Sequence, residues 1–279
     1  MKKPLIISIM FALILTAGSF ASPDDYLLHN HFGVSTLYTE NPNNPYSQYA
    51  SGMNWASSAG HWMVEDWGTG GDAPDPGPFW PISEVFDIEA MYLDIDLDQE
   101  QVYFSIVTSM PNTGFDQVGW YPGYLFRAGD IRFGVGNDTY VLGTFGGFNG
   151  NLYLNPEMTY TDGYRGFADR GNPVLHQNNI GEELATSGTN FSYQQYLYED
   201  GSSLMEKGYA TYLMEGSISF ADLGGNNFAN TGLTMTLGMS CNNDIGTLEI
   251  APVPEPTTIA LLGLGLIGLY SGRRRFLKK

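Results

Sequence analysis

Asp94-Ile95-Asp96-Leu97-Asp98 sets three carboxylates at every second position, with Glu100 close behind. On an extended strand the three would share one face, about 7 Å between successive members. Like charges at that spacing repel unless water or a cation lies between them. A hard, oxygen-seeking ion such as calcium suits such a row, with Asp87, Glu89 and Asp130 as further ligands from nearby strand ends. The glycine and terminal bidentate glutamate of an EF-hand loop are not in the required positions, so that motif is not implied. The competing reading is an edge strand with an acidic solvent face that runs into a turn.

A second group is aromatic. Trp55, Trp62, Trp67, Trp80, Trp120 and Tyr121 are flat platforms on which sugar rings could pack, and each is equally at home in a β core. Trp120-Tyr121-Pro122-Gly123-Tyr124 is the best exposed case, because Pro and Gly hold it in a turn. Trp120, Tyr121 and Tyr124 are therefore the candidate glycan contacts. No catalytic set stands out. There is no Gly-x-Ser-x-Gly elbow, Cys241 has no marked partner, and His29, His31, His61 and His176 have no metal spacing, although His29 and His31 could share a strand face. No carboxylate pair can be picked out as a glycosidase acid and base, so the expectation is that the protein is not an enzyme.

The charge excludes some partners. Of the 12 Lys and Arg, only Arg127, Arg132, Arg165, Arg170 and Lys207 lie in residues 22–252, against 29 of the 30 acidic residues, an excess of 24 negative charges. Such a surface repels nucleic acid and anionic lipid, because Lys and Arg supply phosphate affinity. The lone Cys241 rules out an internal disulfide, so stability must come from a packed core.

The elements that would hold these residues are strands. Gly, Asn, Asp and Pro interrupt the chain every few residues, and no long stretch has helical periodicity. Val85–Leu97 alternates apolar and acidic residues, and after the turn Asp98-Gln99-Glu100 comes the β-prone Val102–Thr108. Further strands are expected at Gly129–Val135, Thr139–Phe145, Ala210–Phe220 and Thr231–Ser240, with residues 146–200 as long loops carrying short strands. This predicts an all-β fold: a single antiparallel sandwich or jelly roll with long loops, flanked by an N-terminal signal helix and a short C-terminal transmembrane helix.

The two ends carry targeting chemistry. Lys2 and Lys3, the apolar run Leu5–Leu15 and Ser19-Phe20-Ala21 read as a signal peptide over residues 1–21. Residues 22–252 form the acidic body, and residues 253–279 the tail. The tail's Gly263-Leu264-Gly265-Leu266-Ile267-Gly268 spells a dinucleotide fingerprint, but no room remains for the helix and acidic residue that fingerprint needs. Thr257–Gly272 would make a helix of roughly 24 Å against a hydrocarbon core of about 30 Å, a thin span. Arg273, Arg274 and Arg275 would hold its end on the cytoplasmic side.

The order Val-Pro-Glu-Pro (253–256), short apolar segment and terminal Arg cluster resembles the PEP-CTERM sorting signal of Gram-negative bacteria. The resemblance implies that Pro254, Glu255 and Pro256 are the box recognised by exosortase, a membrane-embedded protease and presumed transpeptidase. It further implies export across the inner membrane, transient anchoring there, and delivery to the cell surface or an exopolysaccharide matrix. The body loosely resembles carbohydrate-binding family 9 and DOMON-like sandwiches, through Phe86–Tyr92, Val102–Thr108, Ala128–Ile131 and Met239–Asp244. The expected function is a non-enzymatic surface or matrix protein that contacts glycan. The alternatives are an adhesive matrix protein that binds other proteins, and a polysaccharide hydrolase or lyase.

Overall fold

The computed structural model describes residues 26–34, 57–64, 85, 87–116, 125–156, 158–160, 173–175, 182–184, 189–197, 203, 205–206, 209–225, 230–239, 245–252, 262, 264 and 266. A single helical turn, α1 (Leu27–Asn30), precedes the strands. In chain order these are β1 (His61–Val64), β2 (Ile88–Asp96), β3 (Gln101–Thr108), β4 (Phe115–Asp116), β5 (Leu125–Phe126), β6 (Ile131–Val135), β7 (Asp138–Leu142), β8 (Leu152–Leu154) and β9 (Met158–Tyr160). There follow β10 (Pro173–Leu175), β11 (Glu182–Leu184), β12 (Thr189–Gln195), β13 (Met205–Glu206), β14 (Tyr209–Ala210), β15 (Tyr212–Ser219), β16 (Leu233–Gly238) and β17 (Ile245–Ile250).

Two antiparallel sheets dominate. One has the order β1-β2-β3-β15-β12, the other β11-β8-β7-β6-β16-β17, and three two-stranded ribbons complete the set. The fold is all-β, as the sequence predicts, and all six of the expected strands stand within a few residues of their expected limits. The long signal and tail helices fall outside the described residues, apart from Leu262, Leu264 and Leu266, which are helical and exposed. Among the described residues no helix is long and apolar enough to cross a membrane.

The inner faces of the two sheets bury Ile88, Met91, Leu93, Val102, Phe104 and Ile106 from one side against Ile131, Phe133, Leu142, Leu233, Met235 and Leu237 from the other. Phe104 meets Phe133 edge to face at 5.4 Å between ring centres, an arrangement aromatic pairs prefer. Gly246 lies against this core because a Cβ there would collide with Met91 Sδ.

β2 shows why its apolar pattern breaks in the sequence. Ile88 pairs with Thr108 and Ala90 with Val107, which leaves Glu89 as the extra residue of a β-bulge. The bulge shifts the alternation by one, so Ile88 faces the core between the sheets while Ala90 and Tyr92 face outward. The outward face is also buried. Tyr26, Leu28, Phe32 and Val34 from the N-terminal segment pack over Ala90, Tyr92, Val107 and Leu213.

Truncating Phe104 to alanine removes both faces of an aromatic contact at a site with no exposure. The expected loss is about 3–5 kcal/mol, read as the shift in a denaturant-unfolding curve of the body.

Candidate functional site

The acidic residues expected to gather around a cation are dispersed by the fold. Asp94 and Asp96 do lie on one face of β2, but each has separate work. Asp94 Oδ2 is paired with His31 Nε2 at 2.8 Å. Asp96 Oδ1 accepts the backbone N–H groups of Asp98 and Gln99, both at 2.9 Å, and so shapes the β2–β3 turn. Asp98 sits in that turn, exposed. Asp87, Glu89 and Asp130 are buried. Glu89 accepts the Ser109 hydroxyl at 3.2 Å, and Asp130 accepts the Thr144 N–H at 2.9 Å. Among the described residues no three His, Cys, Asp or Glu side chains come together in a group that could hold a metal ion. A strand spreads acids along its length, and each of these is claimed by a different neighbour or lies in the turn.

Trp120, Tyr121 and Tyr124 lie outside the described residues, as do Pro254, Glu255, Pro256, Arg273, Arg274 and Arg275. Among the described residues the large aromatic left exposed is Trp62 on edge strand β1, 43% accessible and opposite Tyr92 in register. Arg127, one of the few cations of the body, lays its guanidinium 3.7 Å from the centre of the Phe145 ring, a cation–π contact.

The side chains that do converge sit beneath the N-terminal segment, and Glu215 is at their centre. It lies on β15, directly opposite Ser105 of β3 and facing outward, away from the core between the sheets. Its Oε1 accepts the Leu28 N–H at 2.7 Å and the Ser105 hydroxyl at 3.1 Å. Burial pushes the carboxyl from its ordinary 4.5 up to about 7, while hydrogen bonds from Leu28, Ser105 and Leu27 pull the other way without cancelling it. The first turn of α1 offers unpaired backbone donors, and the buried carboxylate satisfies them.

The two histidines of this segment act beside it. Their spacing would let them share a strand face, but the chain here makes a helical turn: His29 lies in α1 and His31 follows it. His29 Nδ1 donates to the Val34 carbonyl at 2.6 Å, and its Nε2 meets the Tyr196 hydroxyl at 3.0 Å. His31 stacks beside Tyr103 at 4.2 Å while holding Asp94. Tyr26 stacks on Tyr196 at 5.0 Å, and its hydroxyl accepts the Leu197 N–H. Chemically this is a latch of polar ties set in an apolar patch. Its proton-binding group is sealed from solvent, with Glu215 at 5% accessibility.

Sequence reasoning missed Glu215. The available signal was a lone acid inside Tyr212-Leu213-Met214-Glu215-Gly216, on the same face as Leu213, where alternation calls for an apolar residue.

A carboxyl whose pKa is raised on folding stabilises the native state below its unfolded pKa and loses that contribution as pH rises through the folded one. The window here runs from 4.5 to about 7. Raising the pH from 5 to 8 should therefore cost the body about 3 kcal/mol through this one group. In Glu215→Gln, which keeps an acceptor for Leu28 and Ser105, the plot of melting temperature against pH should flatten over that range. An unchanged pH profile in the variant would show that the carboxyl does not govern it.

Comparison with known proteins reaches only the end of the chain. No curated protein and no solved structure matches it. Residues 252–275 match the PEP-CTERM protein-sorting motif. That stretch contains the Pro-Glu-Pro box, the apolar run with its exposed helical leucines, and the arginines. The chain therefore carries a PEP-CTERM sorting motif, which marks it as an exported protein sorted to the cell surface through exosortase.

Proposed function

We propose that the sorted body acts as a non-enzymatic component of the cell surface or of an exopolysaccharide matrix, with glycan as its partner. One observation carries this reading: a PEP-CTERM motif is joined to an acidic, aromatic-rich β body. The motif accounts for delivery to the surface. The body's excess of acidic residues turns it away from nucleic acid and anionic lipid, and its exposed Trp62 offers a flat face of the kind on which sugar rings pack. Asp94, Asp96, Glu89 and Asp130 are engaged in the His31 pair, in turn-capping and in buried hydrogen bonds, which favours aromatic and neutral polar groups as the glycan contacts.

Two measurements test the reading. Mass spectrometry of the mature protein should find a C-terminus near Pro254-Glu255-Pro256 and the body in the surface or matrix fraction. An intact tail in the inner-membrane fraction would remove the sorting part. The purified body, residues 22–252, should be retained on immobilised matrix polysaccharide, and Trp62→Ala should shorten that retention. If no polysaccharide retains the body, the glycan part is lost and an adhesive, protein-binding role takes its place.

A further inference from the structure

The sorting motif begins where the fold has not yet let go of the chain. β17 is paired with β16 along its whole length, ending with Ile250 opposite Leu233. Leu248 and Ile250 are both 7% accessible and belong to the core. Beyond them Ala251 and Pro252 are exposed, but the backbone still runs close against the body. Gly232, at φ +80°, lies so close that a Cβ would stand 2.8 Å from the Ile250 carbonyl oxygen and 3.2 Å from Pro252 Cδ. Pro252, seated there, is also the first residue of the matched motif. Only the exposed Ala251 separates the last residue of β17 from the sorting signal.

Distance then becomes a constraint. From Pro252 to Pro256 an extended chain spans at most about 14 Å. The apolar run starts at the next residue, Thr257. A protease must hold several residues of extended backbone on both sides of the bond it cuts. Here one side runs at once into a two-sheet body and the other into the bilayer. The cheapest source of slack is β17, an edge strand held by one neighbour only in its sheet, because strand ends at sheet edges open at the lowest free energy.

We propose that the C-terminal end of β17 is part of the substrate that the processing enzyme handles, and that its parting from β16 sets the rate at which the body is released from the membrane. This rests on the reading that exosortase acts at the Pro254-Glu255-Pro256 box. The surface engaged is the β16–β17 edge around Leu233 and Ile250, and the partner is a membrane-embedded protease that needs this strand end unzipped.

The test uses the full chain, with leader and tail, in cells that carry an exosortase. In a Cys241→Ser parent, Thr234→Cys and Glu249→Cys are placed opposite each other in register. Facing pairs on antiparallel strands lie within disulfide reach. The cross-linked chain should accumulate membrane-bound precursor several-fold over the parent, and reductant should clear it. An insertion of about eight Gly and Ser residues after Pro252 should restore processing to the locked chain, since it supplies slack without opening the strand. A second arm leaves the ladder untouched: the same insertion in the parent should speed release. The proposal is overturned if the locked chain is processed at the parent's rate, or if the insertion changes neither chain. A parent that is never cut near Pro254–Pro256 would defeat the sorting reading itself, a distinct result from a parent that is cut and a locked variant that is cut equally fast.

Discussion

The structure rests on one constraint: the sheet β1-β2-β3-β15-β12 is apolar on both faces. Its inner face is covered by the second sheet. Its outer face carries Ala90, Tyr92, Val107 and Leu213, which pack with the N-terminal segment and Tyr196 rather than with any strand among the described residues. An antiparallel sheet usually leaves one face to water. Here the N-terminal segment lies over it. It folds into a single helical turn whose backbone donors need a buried acceptor, and Glu215 is that acceptor. The burial that makes this tie dry also shifts the carboxyl's proton affinity toward neutrality. His29, His31 and Tyr26 then fix the segment's ends on partners from β2 and from the residues that follow β12.

Much of the architecture was legible because period-two patterns report directly on strands. The Val85–Leu97 and Val102–Thr108 pair, its turn at Asp98-Gln99-Glu100 and the all-β class all follow from alternation and turn residues. What could not be read was the change of face within a strand. Ile88 and Ala90 look like neighbours on one face, yet the bulge at Glu89 sends them to opposite sides. β12 and β17 were also missed. β12 offers only Phe191 and Tyr193 among polar residues, and β17 has Leu248 and Ile250 alternating with Thr247 and Glu249 before the Pro-rich tail distracts from it.

The candidate site was less legible than the fold. Three aspartates in a row of alternate positions suggest a shared ligand, but spacing along a strand says nothing of what other segments bring to the same face. His31 arrives from more than sixty residues away and takes Asp94. The turn claims Asp96. Glu215 drew no notice because a single acid has no pattern, and its meaning lies in Leu28, 187 residues distant. The tail was the opposite case. Its box, apolar run and basic end are recognised as linear sequence by a partner, so they are readable without any fold.

That separation of 187 residues has a consequence for the life of the chain before it is finished. A polypeptide that crosses a membrane from its N-terminus presents Leu28 early, and Glu215 only near the end of transit. Contacts of such high order are made late and slowly, because most of the loop must be closed before they reward it. The leading segment, with its buried Tyr26 and Phe32, therefore waits on the far side without its sheet. The interval between emergence and closure is when a chaperone or a protease beyond the membrane would meet it.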